Sequence, residues 1–122
     1  MHWLLVFIGG GLGAMARHAM NRAGLALLGP GFPWWTPAVN VLGSFLIGLL
    51  AGLFGTWEPG HNARLFLTTG FLGGFTTFSA FSLDALTLWE RGAMLQTVLY
   101  VAGSVILSLI AAAIGLMLSR YG

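Results

Sequence analysis

The sequence predicts an all-α membrane protein with four transmembrane helices. Of its 122 residues, 57% are hydrophobic and only 7% are charged, whereas soluble domains carry about 25% charged residues. So few charged side chains cannot cover a water-facing surface. Four apolar segments also approach or exceed the roughly 20 residues that a spanning helix needs. The sparse charge also excludes a nucleic-acid-binding surface.

Each span follows from a run without charged residues. The first run, 1–16, is short, and we expect it to continue past Arg17 and Arg22 to Leu28. The second run covers 34–57, the glycine-interrupted third covers 65–83, and the fourth covers 93–119. Glycine and proline mark the connections at 29–33, 58–60 and 91–92. We therefore expect a single four-helix transmembrane domain over residues 1–122.

The arginines give almost no orientation signal. Arg64 and Arg120 are expected on one side of the membrane, and Arg17, Arg22 and Arg91 on the other. Positive residues normally accumulate on the cytoplasmic side. Two arginines on one side against three on the other are compatible with a chain that inserts in both orientations and pairs antiparallel. They are equally compatible with a single orientation set by a weak charge bias, which can suffice for a small protein.

The chain contains 19 glycines, which require a packing explanation. Lipid provides no hydrophobic force between helices, so membrane helices associate where small residues allow close backbone approach. Gly9 with Gly13, and Gly48 with Gly52, form pairs of that spacing. We expect both pairs to be helix contacts.

Residues 68–82 contain three glycines and six hydroxyl side chains inside an apolar span. The Gly73-Gly74 pair predicts a break in the third helix at mid-membrane. Such a break would expose carbonyls that can hold a cation and N–H groups that attract an anion. The alternative is a kinked helix whose hydroxyls bond to the preceding turn.

Further candidate ligands are uncharged. Phe78 and Phe81 share one helix face and could present positive ring edges to an anion, although such rings are more often core or lipid-facing. Tyr100, Ser104 and Ser108 form a stripe on the last helix. That stripe fits helix–helix hydrogen bonding or a track for a permeant ion. Asn40 adds a donor that could serve either purpose.

No catalytic arrangement is apparent in the sequence. There is no cysteine, and the three histidines have no metal-ligand spacing. Ionisable residues at mid-membrane would suggest proton coupling, but the central stretches contain none, and Asp84 lies beyond the polar cluster. We therefore expect a protein that is not an enzyme.

At these polar and glycine-rich residues the sequence resembles the Fluc/CrcB family of small fluoride channels. The matching stretches are GGLGAMAR at 10–17, VNVLGSFLIG at 39–48 and TGFLGGFTTFSAF at 69–81. They occur in order over essentially the whole chain, and the third is the most specific. Ala80, where the family often has threonine, and Pro37, where a Gly-Thr start is common, depart from the pattern.

The resemblance implies a multi-pass protein of the cell membrane that forms antiparallel, dual-topology homodimers with two pores for passive fluoride efflux. It implies a central structural sodium ion held by the carbonyls of Gly73 and Thr76 from both subunits, and a vestibule arginine, Arg17. The implied fluoride pore consists of Phe78, Phe81, Asn40, Thr77, Ser79, Tyr100, Ser104 and Ser108.

Two other classes remain open from the residues alone. A small dimeric proton-coupled drug antiporter also uses four short helices, but it needs a membrane-embedded carboxylate, and only Asp84 could provide one. A non-transporting membrane subunit would explain the glycines but not the aligned hydroxyls of the last helix.

Overall fold

Helices account for nearly all of the described chain, which covers residues 2–29, 31–54 and 60–121 of a computed structural model. The predicted connections at Pro30 and at Glu58-Pro59 lie outside these residues. In chain order the elements are α1 (His2–Leu28), α2 (Trp35–Leu53), α3 (His61–Arg64), a π-helix (Leu65–Leu72), α4 (Gly73–Phe75), α5 (Phe78–Glu90) and α6 (Met94–Tyr121).

Four helical segments are long and apolar enough to cross a membrane, namely His2–Leu28, Trp35–Leu53, His61–Glu90 and Met94–Arg120. We refer to His61–Glu90, which combines α3, the π-helix, α4 and α5, as the third span. The prediction of an all-α membrane protein with four spans is therefore confirmed. The first span does continue past Arg17 and Arg22, as its neighbouring apolar residues suggested.

Glycines hold the helices together in two pairs. On α1, a Cβ at Gly9 would lie 2.8 Å from the Phe66 carbonyl oxygen, and a Cβ at Gly13 would collide with the Phe71 carbonyl of the π-helix. On α2, Cβ atoms at Gly48 and Gly52 would collide with Ala112 and Ser119 of α6, respectively. At Gly9, Gly13 and Gly48 the nearest neighbours are backbone atoms, and at Gly52 the Leu116 carbonyl oxygen lies 3.0 Å from a Cβ, behind the Ser119 side chain. The predicted packing role of both glycine pairs is confirmed, because a missing side chain permits this close approach.

The predicted position of a break at Gly73-Gly74 is wrong. Both glycines belong to the helical segment α4. A Cβ at Gly74 would collide with the Gly10 carbonyl of α1, so this glycine allows close helix packing and does not break the helix. The residues with non-helical backbone are Thr76 and Thr77, between α4 and α5.

The turn between α5 and α6 is anchored to the turn between α1 and α2. Gly29 and Gly92 end α1 and α5 with φ near +77°, a backbone conformation that favours glycine. From the same α5–α6 turn, Arg91 Nη1 donates to the Gly31 carbonyl oxygen at 3.2 Å. This contact joins two connections that are 60 residues apart in sequence.

We expect Gly48→Ala to destabilise the protein because its Cβ would overlap the Ala112 backbone, which cannot rotate away. Overpacking of this kind costs about 1–3 kcal/mol. Thermal unfolding in detergent measures the effect. Gly11→Ala is the matched control, since a Cβ there meets nothing within 4 Å. Equal melting temperatures for Gly48→Ala and wild type would contradict the proposed packing.

Candidate functional site

The site is organised around two extended residues in the third span. Thr76 has φ −83° and ψ 157°, and Thr77 has φ −150° and ψ 123°. The Asn40 side chain of α2 compensates for the lost helix hydrogen bonds. Its Nδ2 donates to the Thr77 carbonyl oxygen at 2.9 Å, and its Oδ1 accepts from the Thr77 N–H at 2.8 Å.

The sequence left open whether Asn40 joins two helices or offers a donor to a permeant ion. The residue ties two spans together, as a buried asparagine commonly does. However, the amide has two N–H donors, and the second one makes no hydrogen bond within the described residues. Asn40 therefore supports the interruption and keeps one donor available.

The helix that follows the interruption starts with a side-chain cap. Thr77 is the N-cap of α5, and its Oγ1 accepts from the Ala80 N–H at 3.2 Å. The same hydroxyl lies 3.3 Å from Ser79 Oγ. The amides of this first turn carry the positive end of the helix dipole, so the interruption is an electrostatically favourable place for an anion.

A cavity of about 210 Å³ lies beside the interruption. Among the residues predicted for the pore, it brings together Asn40, Phe78, Phe81, Ser104 and Ser108, and it is completed by Val105 and Leu109. None of these seven side chains is charged. The cavity thus combines amide and hydroxyl donors with aromatic rings in an otherwise apolar surrounding.

The two phenylalanines differ in exposure. Their ring centroids are 5.5 Å apart at an interplanar angle of 43°. Phe81 is only 9% exposed and stacks on Tyr100 at 5.4 Å, whereas Phe78 is 76% exposed. Packing within the chain therefore fixes Phe81, while Phe78 projects from it.

The hydroxyl stripe on α6 continues out of this cavity. Ser104 also lines a larger groove of about 610 Å³ between α2 and α6, together with Tyr100. The Ser104 hydroxyl is buried and has no hydrogen-bond partner among the described residues. An unpaired buried hydroxyl is costly, so this donor needs a polar partner that the described residues do not supply.

The Tyr100 hydroxyl is used differently from the serines. It donates to Asp84 Oδ2 of α5 at 2.9 Å, and Thr36 of α2 also lies within hydrogen-bonding reach of it. Sequence reasoning did not identify this Asp84–Tyr100–Thr36 cluster. Their spacing in the sequence could have indicated this contact. Asp84 and Tyr100 are nearly equidistant from the α5–α6 turn at Arg91-Gly92, so they lie at the same level of the helical hairpin.

The residues predicted to hold a metal line another cavity. Gly73 and Thr76 border a space of about 380 Å³, together with Thr68, Ser44 and Phe78. In a continuous α-helix the Thr77 N–H would donate to the Gly73 carbonyl, but here it donates to Asn40. The Gly73 carbonyl is thereby released, and carbonyl oxygens are suitable ligands for hard cations.

The remaining predicted residues lie apart from the 210 Å³ cavity. Thr77 lines the 380 Å³ cavity, and Ser79 is exposed near the start of α5. Arg17 lies on α1 and does not line any of the three cavities above. Its Nε is buried without a hydrogen-bond partner in the described part of the chain. Arg17 thus has an unsatisfied donor but is not joined to the other site residues within one chain.

Comparison with known proteins gives a consistent match. Residues 4–116 match the profile of the family described as CrcB-like protein, Camphor Resistance (CrcB). A relative from Rhodopseudomonas palustris is 53% identical, covering 98% of both chains. A relative from Mesorhizobium japonicum is 51% identical over 96% of this chain and 94% of its own. One from Sphingopyxis alaskensis is 50% identical over 94% and 92%. All three are named fluoride-specific ion channel FluC.

We expect Asn40→Ala to weaken the interruption, because it removes both hydrogen bonds to Thr77. Each such bond contributes about 0.5–1.5 kcal/mol. Hydrogen–deuterium exchange of the segment containing the Thr77 amide should therefore accelerate. Ser44→Ala, one turn further along α2, is the control and should leave this exchange unchanged. Unaltered exchange in Asn40→Ala would show that the pair does not hold the segment.

Proposed function

Because the chain belongs to the CrcB family, we propose that it is a fluoride-selective channel of the cell membrane that lets fluoride leave the cytoplasm passively. The relatives named above are ion channels rather than enzymes. The observation that supports this function best is the cavity lined by Asn40, Phe78, Phe81, Ser104 and Ser108.

The chemistry of that cavity suits a small, strongly hydrated anion. A narrow pore must replace the hydration shell with other donors. A fixed cation would bind fluoride too strongly for release, whereas hydroxyls, an amide N–H and ring edges provide weaker contacts. The lining contains these groups together with two aliphatic side chains, and none of its side chains is charged. Phe78 and Phe81 would therefore contact the ion through their edges, while Asn40, Ser104 and Ser108 would donate hydrogen bonds.

The stripe on α6 offers a path for stepwise movement. Residues four apart on a helix are separated by about 6 Å along its axis, so Ser104 and Ser108 would offer two successive hydroxyls. Tyr100, whose hydroxyl donates to Asp84, would line the path one turn before them. Ser104 lines both the cavity and the groove, which makes it the connecting step. Thr77 and Ser79 would contribute hydroxyls near the interruption, and Arg17 would attract anions at a vestibule.

The proposed channel is assembled from two copies of the chain. The exposed Phe78 and the released Gly73 carbonyl both suggest a second copy of the chain. In an antiparallel homodimer, the carbonyls of Gly73 and Thr76 from both subunits would meet near mid-membrane and hold a sodium ion. This arrangement would place the interrupted third spans at the centre and give two pores, one on each side.

The drug antiporter is less well supported. Asp84 is the only carboxylate that the sequence offers for proton coupling, and it is already engaged by Tyr100. That hypothesis requires a pH gradient to drive drug uptake and Asp84→Asn to abolish it. A non-transporting subunit would show neither drug uptake nor fluoride flux.

We expect purified wild-type protein in liposomes to release fluoride and to exclude chloride. Phe78→Ile and Phe81→Ile should each slow fluoride efflux by about tenfold or more, because the ring edges that stabilise the ion are lost. A fluoride electrode measures the efflux. Phe7→Ile is the matched control, since Phe7 is a similarly exposed ring on α1, at 78%.

Equal chloride and fluoride fluxes in wild type would refute the proposed selectivity.

The same efflux assay also tests whether conduction needs the proposed sodium ion. Efflux should be lost after exhaustive replacement of sodium by a large organic cation, because the carbonyls would no longer be held together. Undiminished fluoride efflux without sodium would contradict the proposed sodium site.

Dual topology can be tested with single cysteines, because the chain has none of its own. Asn62→Cys and Met94→Cys lie at exposed positions on opposite sides of the bundle. With nearly balanced arginines, a membrane-impermeant maleimide should label about half of each variant in intact cells. Complete labelling of one variant and none of the other would establish a single orientation.

A further inference from the structure

Two histidines from different spans meet at one end of the bundle. His2 begins α1, and His61 begins α3. Their ring centroids are 5.2 Å apart with an interplanar angle of 77°. Both side chains are exposed, so a ligand can reach them without rearranging the core.

The spacing of the rings matches that of paired metal ligands. In tetrahedral coordination with Zn–N distances of about 2.0–2.1 Å, two imidazole rings have centroids about 5 Å apart. Imidazole nitrogen is a preferred ligand of zinc, copper and nickel. The present edge-to-face orientation would change by side-chain rotation alone, which exposed histidines can undergo rapidly.

Space for the rest of the coordination sphere is present. The histidines border a concavity of about 250 Å³, which is also lined by Trp3, Val6 and Leu65. Since those three side chains are apolar, the remaining ligands would be water. Arg64, the nearest cation along the chain, is directed elsewhere, because its guanidinium lies 4.7 Å from the Phe54 ring centroid.

The helix packing fixes the separation of the two helix starts that carry the histidines. Two turns along α1, Gly9 contacts the Phe66 carbonyl and the Gly70 backbone of the π-helix. Neither contact can loosen by side-chain movement, since both partners are backbone. The starts of α1 and of the third span are therefore held side by side before any ligand arrives.

We propose that His2 and His61 form a site for a divalent transition metal ion, such as Zn²⁺, that clamps the start of the first span to the start of the third. The site is separate from the fluoride pathway, and its existence does not depend on conduction.

The test uses detergent-solubilised, tag-free full-length protein with ZnCl₂ as the probe. Zn²⁺ should raise the melting temperature of wild type, and calorimetry should give one ion per chain. His2→Ala and His61→Ala should each abolish the shift and weaken Zn²⁺ binding by about tenfold or more, since each removes one of the two protein ligands. Mg²⁺, which prefers oxygen ligands, should have no effect.

His18→Ala is the matched control. His18 is also exposed on α1, but it lies 16 residues from His2, about 24 Å along the helix. This variant should retain the full zinc response. The proposal is overturned if wild type shows no thermal shift, if the shift persists in either His2→Ala or His61→Ala, or if His18→Ala removes it.

Discussion

The structure depends on a constraint that the bilayer imposes. A backbone polar group in hydrocarbon must find a partner inside the protein, so an interrupted helix is acceptable only where another group completes its hydrogen bonds. Asn40 does so for Thr77 through two bonds of 2.9 and 2.8 Å. The same bonds release the Gly73 carbonyl and orient the start of α5. One amide side chain thus makes possible both the carbonyls proposed for sodium and the helix terminus beside the proposed fluoride cavity.

Rigid packing around this pair keeps the geometry in place. Gly9, Gly13 and Gly74 bring α1 into backbone contact with the first half of the third span, and Gly48 and Gly52 do the same for α2 and α6. These contacts hold the first half of the third span and the serine stripe as two fixed surfaces. Between them, Asn40 and Phe81 determine the shape of the cavity.

The sequence predicted the spans and most of the cavity lining because both depend on local patterns. Charge-free runs define spans, and a spacing of four places Ser104 and Ser108 on one face. The predicted position of the break was wrong because a Gly-Gly pair can indicate either a flexible backbone or close helix packing. The contact with Gly10 shows that Gly74 serves packing, and a contact between residues 64 positions apart cannot be inferred from the local sequence. The Asp84–Tyr100 bond and the contribution of Asn40 to the backbone were missed for the same reason, since each joins different helices.

The π-helix at Leu65–Leu72 has a consequence for evolution by insertion and deletion. Its hydrogen bonds span five residues instead of four, so it accommodates more residues per turn than the helices on either side. An extra residue wound in this way turns the downstream helix much less than an insertion into a regular α-helix, which would rotate it by about 100°. Gly74 therefore still meets Gly10, and Thr77 still meets Asn40, although the segment holds more residues than an α-helix would. A change of one residue in the length of this segment is therefore easier to accommodate than a change at the contacts on either side of it.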